Sequence, residues 1–164
     1  MTMVIDGSSG LTYPNSSTQA SSSVVLQVVN ATYGTEVSSS SSTYSDTGLT
    51  ASITPKFSTS KILVIANVNG LGKQGANTFN SVDLQLVRNT TSILQFESTA
   101  GYNGVSTAND VGGSSCTYLD SPATTSATTY KVQFAADQNA ASVTAQARNT
   151  RLTASTITLM EIAG

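Results

Sequence analysis

The chain reads as an all-β protein, a single β-sandwich or barrel, and three observations carry that reading. From Val24 onward, runs rich in Val, Ile, Thr, Tyr and Phe recur between clusters of Gly, Ser, Asn and Pro. Inside those runs apolar and polar residues alternate with period two, as side chains do on the two faces of a strand. No segment holds a helical period, and the β-branched content works against helix throughout.

Taken in order, Met1 to Ser23 stands apart. Gly7, Gly10, Pro14 and the Ser/Thr clusters break any period there, so residues 1–23 read as an extended N-terminal arm and 24–164 as the β-sandwich domain. Nine strands are expected in that domain. Val24–Tyr33 is a Val-rich run, and Leu49–Thr54 sets Leu49, Ala51 and Ile53 against Thr50, Ser52 and Thr54. Lys61–Asn69 opens with Ile62-Leu63-Val64-Ile65-Ala66, apolar enough for a central strand covered on both faces or lying against a neighbouring subunit. Ser81–Arg88 alternates Val82, Leu84 and Leu86 with Asp83 and Gln85, and Asn89-Thr90-Thr91 is a hairpin connector to Ser92–Glu97. Ser114–Leu119 and Thr129–Ala135 are shorter runs of the same composition. Ser142–Ala147 alternates Val143, Ala145 and Ala147 with Thr144 and Gln146, and Ser155–Ile162 ends the domain with a second apolar run of central-strand type. Ser98–Gly113, between the fifth and sixth strands, is the longest expected loop.

A length of 164 residues fits one domain able to bury about two-thirds of its unfolded surface. About a third of the residues are Ser or Thr, charged residues make up 10%, and the net charge is −2. With 38% hydrophobic residues this is not the high-charge, low-hydrophobicity composition of a disordered chain. Seven Lys plus Arg leave no basic patch to neutralise phosphates, so neither nucleic acid nor an anionic membrane is an expected partner. No apolar run approaches the ~20 residues of a membrane span. Met1-Thr2-Met3-Val4-Ile5-Asp6 lacks the basic start and apolar core of a secretory signal, so synthesis in a cytoplasm is expected.

Chemistry is sparse. The chain has no His, and the lone Cys116 reads as a small strand residue, not a nucleophile. Asp46-Thr47-Gly48 matches the catalytic tripeptide of aspartic proteases, but Ser39 to Ser45 before it lacks their apolar setting. The preferred reading is a turn in which Asp46 caps local backbone and Gly48 supplies a permissive conformation. Gly70-Leu71-Gly72-Lys73-Gln74-Gly75 misses the spacing of a phosphate loop and reads as a surface loop. Asp110-Val111-Gly112-Gly113 and Asp137-Gln138-Asn139 lack the dense alternation of a calcium loop. Among Asp83, Glu97, Asp110, Asp120 and Asp137, no carboxylate pair is singled out. No cofactor or metal is expected.

Three segments carry a family resemblance. Ser42-Thr43-Tyr44-Ser45-Asp46-Thr47-Gly48-Leu49-Thr50-Ala51-Ser52-Ile53-Thr54-Pro55, followed by Ser60-Lys61-Ile62-Leu63-Val64, resembles a module of structural proteins from tailed, especially marine, bacteriophages. Ile5 to Gln19 resembles a short motif ahead of such β-domains, with Tyr13 in place of Phe and Asn15-Ser16 in place of Asp-Gly. The closing Thr156-Ile157-Thr158-Leu159-Met160-Glu161-Ile162 resembles their terminal strand.

The resemblance implies a non-enzymatic virion protein of jelly-roll type, made in the bacterial host cytoplasm. It implies a homotrimer that decorates or stabilises the capsid surface as a cement protein or head fibre, with the major capsid protein or another virion protein as partner. In that reading the arm attaches to the particle through Ile5, Leu11, Tyr13 and Pro14. The alternative is a tail-fibre or tail-tip module that binds a host receptor or surface glycan. Tyr102, Asn103, Asn109 and Asp110 in the longest loop are then the contacts, because aromatic rings stack on sugars and amides and carboxylates hydrogen-bond to them.

Overall fold

The computed structural model of the chain describes residues 24–75, 78–137, 141–147 and 153–164, and the backbone of three short strands before them. Those three are β1 (Val4–Asp6), β2 (Gly10–Thr12) and β3 (Thr18–Gln19). They pair antiparallel in a small sheet of their own, with Ile5 directly opposite Leu11. Tyr13 and Pro14 lie outside the described residues.

Every regular element among the described residues is a strand, as the alternation predicts. The domain runs β4 (Val25–Tyr33), β5 (Val37–Ser39), β6 (Ser45–Ile53), β7 (Lys61–Lys73), β8 (Val82–Arg88), β9 (Thr91–Ala100), β10 (Asn109–Asp120), β11 (Thr128–Ala136), β12 (Val143–Ala145) and β13 (Ser155–Ile162). In the first sheet β13 lies between β4 and β7, and β10 takes the opposite edge of β7. The short β12 and β5 extend the β13 side at the far end of β7. The second sheet has the order β6-β11-β8-β9.

Among the eight long strands, the first sheet therefore holds the first, eighth, third and sixth, and the second sheet the second, seventh, fourth and fifth. This is the double Greek key of a jelly roll. Both apolar runs expected as central strands are central, as β7 and β13.

One core fills the space between the sheets. Ile62, Val64, Ala66 and Val68 of β7 and Ile157 and Leu159 of β13 face Leu84 and Leu86 of β8, Tyr130, Val132 and Phe134 of β11, and Leu49, Ala51 and Ile53 of β6. Each large side chain buried in this way stabilises the fold by about 1.5–3 kcal/mol. Cys116 lies in β10 against this core, where burial pushes its thiol up to about 11 despite a backbone hydrogen bond from Ala66.

At the end where β4 begins, the inner-face row of the first sheet turns polar, reading Gln27, Glu161, Ile62 and Asp120 in register. Asp120 crosses to the second sheet. It accepts two hydrogen bonds from Arg88 Nη1, at 2.8 and 2.9 Å, and one from the buried Tyr130 hydroxyl at 2.6 Å. Glu161 is fully buried and accepts from Gln27 Nε2 and the Lys56 N–H, both at 2.6 Å. Burial would raise the Glu161 carboxyl, but these hydrogen bonds outweigh it and hold the group below the usual range.

Several expectations are corrected. The Asp46-Thr47-Gly48 segment is no turn: β6 already begins at Ser45, and the tripeptide forms a bulge within it, across which β11 advances only from Lys131 to Gln133. Asp46 does not cap local backbone; its carboxylate takes Lys131 at 2.8 Å and Gln133 Nε2 at 2.7 Å. Gly48 does need its freedom, with φ +85°, and a Cβ there would lie 2.3 Å from the Tyr33 ring. Gly70 to Lys73 is strand, not loop. The loop expected over Ser98–Gly113 shrinks to 101–108 because β9 and β10 extend into it. Ser142–Ala147 contracts to Val143–Ala145, and Val37–Ser39, hidden in a Ser-rich stretch, is an added strand.

Replacing Asp120 with Ala leaves the Arg88 guanidinium and the Tyr130 hydroxyl without their acceptor between the sheets. Urea unfolding is expected to show a loss of about 3 kcal/mol with an unchanged m value.

Candidate functional site

The long β7 carries Lys73 to the end of the sandwich opposite the polar row. Lys73 is only 1% exposed, with its backbone held between Asn109 of β10 and Val143 of β12. A buried ammonium is tolerated only when its donors are used. Lys73 Nζ donates to Asn103 Oδ1 at 2.5 Å and to the Val105 carbonyl at 3.0 Å. Asn103 Oδ1 also accepts from the Val105 N–H at 3.2 Å. The 101–108 loop is thus pinned from below by a charge-assisted contact. Gly101 starts it at φ +80°, and a Cβ there would lie 2.5 Å from Val111 Cγ2.

The neighbouring connection between β7 and β8 is tied down by Asn80, which is fully buried. Its Nδ2 donates to the carbonyls of Gln74 at 2.6 Å and Ser142 at 3.2 Å, joining two loops at this end. The adjacent Phe79 is 58% exposed and stacks on Tyr102, 49% exposed, with ring centroids 6.1 Å apart and planes 21° from parallel. Val105 beside them is 47% exposed. Two anchored loops therefore display an aromatic pair to solvent.

The four residues expected to contact a ligand divide. Tyr102 is in the aromatic pair. Asn103 turns its side-chain oxygen inward to Lys73. Asn109 and Asp110 open β10, paired with Lys73 and Gly72. Asp110 is exposed and lines a shallow cleft of about 230 Å³ with Gly70, Leu71, Gly112, Ala147 and Thr153. Two further tyrosines of the same residue class are core groups: Tyr130 is fully buried and Tyr118 packs against the core. Phe79 is absent from the sequence reading, and Lys73 figures there only within a segment read as a surface loop. Phe79 is a lone aromatic in a polar connection, outside any strand period, and that isolation is the signal that marks it.

Near this end of the second sheet, Asp83 lies within reach of the charges of Glu97 and Asp137. Asp83 Oδ1 is buried and has no hydrogen-bond partner among the described residues. Burial first, then the charges of Asp137 and Glu97, push its carboxyl up to about 6.

No protein-family model matches the chain, and no curated protein matches it. Among solved structures, the crystal structure of the infectious bursal disease virus VP2 subviral particle aligns with 92% of this chain at 11% identity and a TM-score of 0.43. The chain spans 42% of that protein's length.

Asp83 keeps its proton in the folded state while the unfolded chain releases it, between its ordinary 3.8 and about 6, so stability falls as pH rises through that window. Asp83→Asn is expected to raise the thermal midpoint at neutral pH, with the gain fading below about pH 4. Differential scanning calorimetry at both pH values checks this.

Proposed function

We propose that this chain is a non-enzymatic structural protein of a tailed-phage virion, homotrimeric, attached at one end and displaying loops at the other. The single observation that carries the reading is this two-ended layout on a jelly roll. The arm enters the sandwich at Val24, whose carbonyl accepts from the Ala163 N–H at 2.9 Å, and exposed Val24, Val25 and Phe57 surround that entry. The aromatic loops lie at the other end of β7, about 40 Å away along a strand of 13 residues.

The resemblance of the arm, the Tyr44–Pro55 segment and the closing strand to phage structural modules supports the same reading. Ile5 opposite Leu11 gives the proposed attachment arm a folded hairpin instead of a loose tail. Placement on the capsid surface, as a decoration or cement protein or a compact head fibre, is the preferred form. It needs a major capsid or other virion protein as partner and no cofactor.

A second reading, a tail-fibre or tail-tip module that binds a host receptor or glycan, is favoured by one observation, the exposed Phe79–Tyr102 pair on pinned loops. Aromatic faces of this kind bury sugar C–H surface, with neighbouring amides as hydrogen-bonding groups.

Quantitative mass spectrometry of purified particles against the major capsid protein tests the first reading. Roughly hundreds of copies are expected for decoration; a few tens or fewer, in multiples of three, would indicate a fibre or tail position. Absence from particles would overturn both. Deleting residues 1–23 is expected to abolish incorporation and leave the thermal midpoint of the sandwich nearly unchanged. Phe79→Ala with Tyr102→Ala is expected to lower adsorption to host cells only under the second reading, with oligomeric mass unaltered.

A further inference from the structure

Lys73 is the one cation buried among the described residues, and the two acceptors of its Nζ, the Asn103 side-chain oxygen and the Val105 carbonyl, belong to one loop. Holding a charge there is costly, so a reaction that discharges it is favoured. The group that Nζ meets is a primary carboxamide, which an amine attacks at carbon. With Nζ 2.5 Å from Oδ1 and a C=O bond of about 1.23 Å, Nζ lies at most about 3.7 Å from Asn103 Cγ. At a lone-pair angle of about 120° the separation is about 3.3 Å, within the ~3–3.5 Å of a near-attack arrangement.

Val105 completes the geometry. Its N–H donates to the same Asn103 Oδ1 at 3.2 Å, where negative charge gathers when the amide carbon is attacked. Its carbonyl, 3.0 Å from Nζ, orients the amine. Gly104, with φ +71°, lets the chain turn between Asn103 and Val105 so that both backbone groups of Val105 reach the pair. The Lys73 backbone is held on both edges, by Asn109 and Val143, while Asn103 is exposed and gives released ammonia a way out.

We infer that Lys73 and Asn103 join in an isopeptide bond that staples the 101–108 loop to the end of β7. The amine attacks in its neutral form, after releasing one proton to water. A bond forms between Nζ and Cγ, a second Nζ proton passes to Nδ2, and the Cγ–Nδ2 bond breaks with its electron pair leaving on ammonia, which takes up a proton from water. An ammonium and a carboxamide thus become a secondary amide and a free ammonium ion. Nothing is oxidised or reduced, and no co-reactant is needed. The interior loses its charge, and the new amide keeps an N–H for the Val105 carbonyl and an oxygen for the Val105 N–H.

The inference goes beyond the proposed function and holds for either placement on a particle. The joined residues are 30 apart, and the ring they close contains Phe79 and Tyr102, so the aromatic pair is displayed from a covalently closed unit. Closing such a ring also removes freedom from the unfolded chain.

Intact-mass spectrometry of the purified full chain, fresh and after a week at about pH 9, where more of the amine is neutral, reads the reaction directly. The cross-linked chain is expected to be lighter than its sequence mass by one ammonia, roughly 17 Da. An acylated lysine is no longer a trypsin site, so digestion is expected to give a branched peptide joining residues 62–88 to residues 89–131. Lys73→Met is expected to restore the sequence mass and lower the thermal midpoint. Asn103→Ala, in the exposed loop, guards against a variant that fails to fold and is expected to restore the sequence mass as well.

An unchanged mass in the wild type after the incubation would overturn the bond and leave a charge-assisted contact. A gain of roughly 1 Da, from hydrolysis of Asn103 to aspartate, would overturn it too. Because Asn103 precedes a glycine, a succinimide closed by the Gly104 nitrogen carries the same loss of ammonia. A loss that persists in Lys73→Met, with trypsin still cutting after residue 73 in the wild type, would assign the change to that ring and overturn the cross-link.

Discussion

The pairing of β7 along both its edges is the constraint from which the rest of the molecule is hung. One edge carries β10 from Ile62 to Lys73, and the other carries β13 and then β12 end to end. Its inner side chains, Ile62 through Val68, are fully buried. A slip of one residue would turn all of them to solvent and bring Leu63 and Ile65 inside, so the core holds the register of every neighbour. The same strand is long enough to link the polar row at Glu161 and Asp120 to the buried Lys73 beneath the displayed loops.

That geometry explains why the polar groups inside the sandwich gather at its two ends. Apolar contact fills the middle, where no water reaches, and a polar side chain there would need every partner supplied by protein. At the arm end the partners come from Arg88, Tyr130, Gln27 and the Lys56 N–H. At the loop end they come from Asn103, the Val105 carbonyl and the carbonyls that Asn80 bridges. Each end is closed by hydrogen bonds that also fix a loop, which is how a sandwich presents ordered surface at its tips.

The two outer faces differ in composition. The β6-β11-β8-β9 face carries a chain of side-chain hydrogen bonds from Asp46 through Gln133 and Gln85 to Ser92, beside the unpartnered Oδ1 of Asp83. The β4-β13-β7-β10 face is nearly uncharged, with Lys61 at its edge and Asn30 donating to Thr158 and the Ile157 carbonyl across the sheet.

The sequence by itself determined the β class and the nine principal strands, because period-two alternation is local and survives in any β architecture. It also marked Lys61–Ala66 and Thr156–Ile162 as central strands, covered on both faces or lying against a neighbouring subunit, and the pairing of β7 and β13 places both inside the sheet. The hairpin at Asn89 was legible for the same local reason, and Asn89 there takes φ +53°. Tertiary structure alone decided what depends on partners distant in sequence. The Asp-Thr-Gly segment became a bulge because Asp46 meets Lys131 and Gln133, which are 85 and 87 residues away. The Gly-rich stretch ending at Lys73 became strand because β10 and β12 pair with it, and the expected loop contracted with it. Phe79 joined Tyr102 only when two connections far apart in the chain were brought to one end. Alternation states which side of a strand is apolar; it does not state which other strand, or which other molecule, will cover that side.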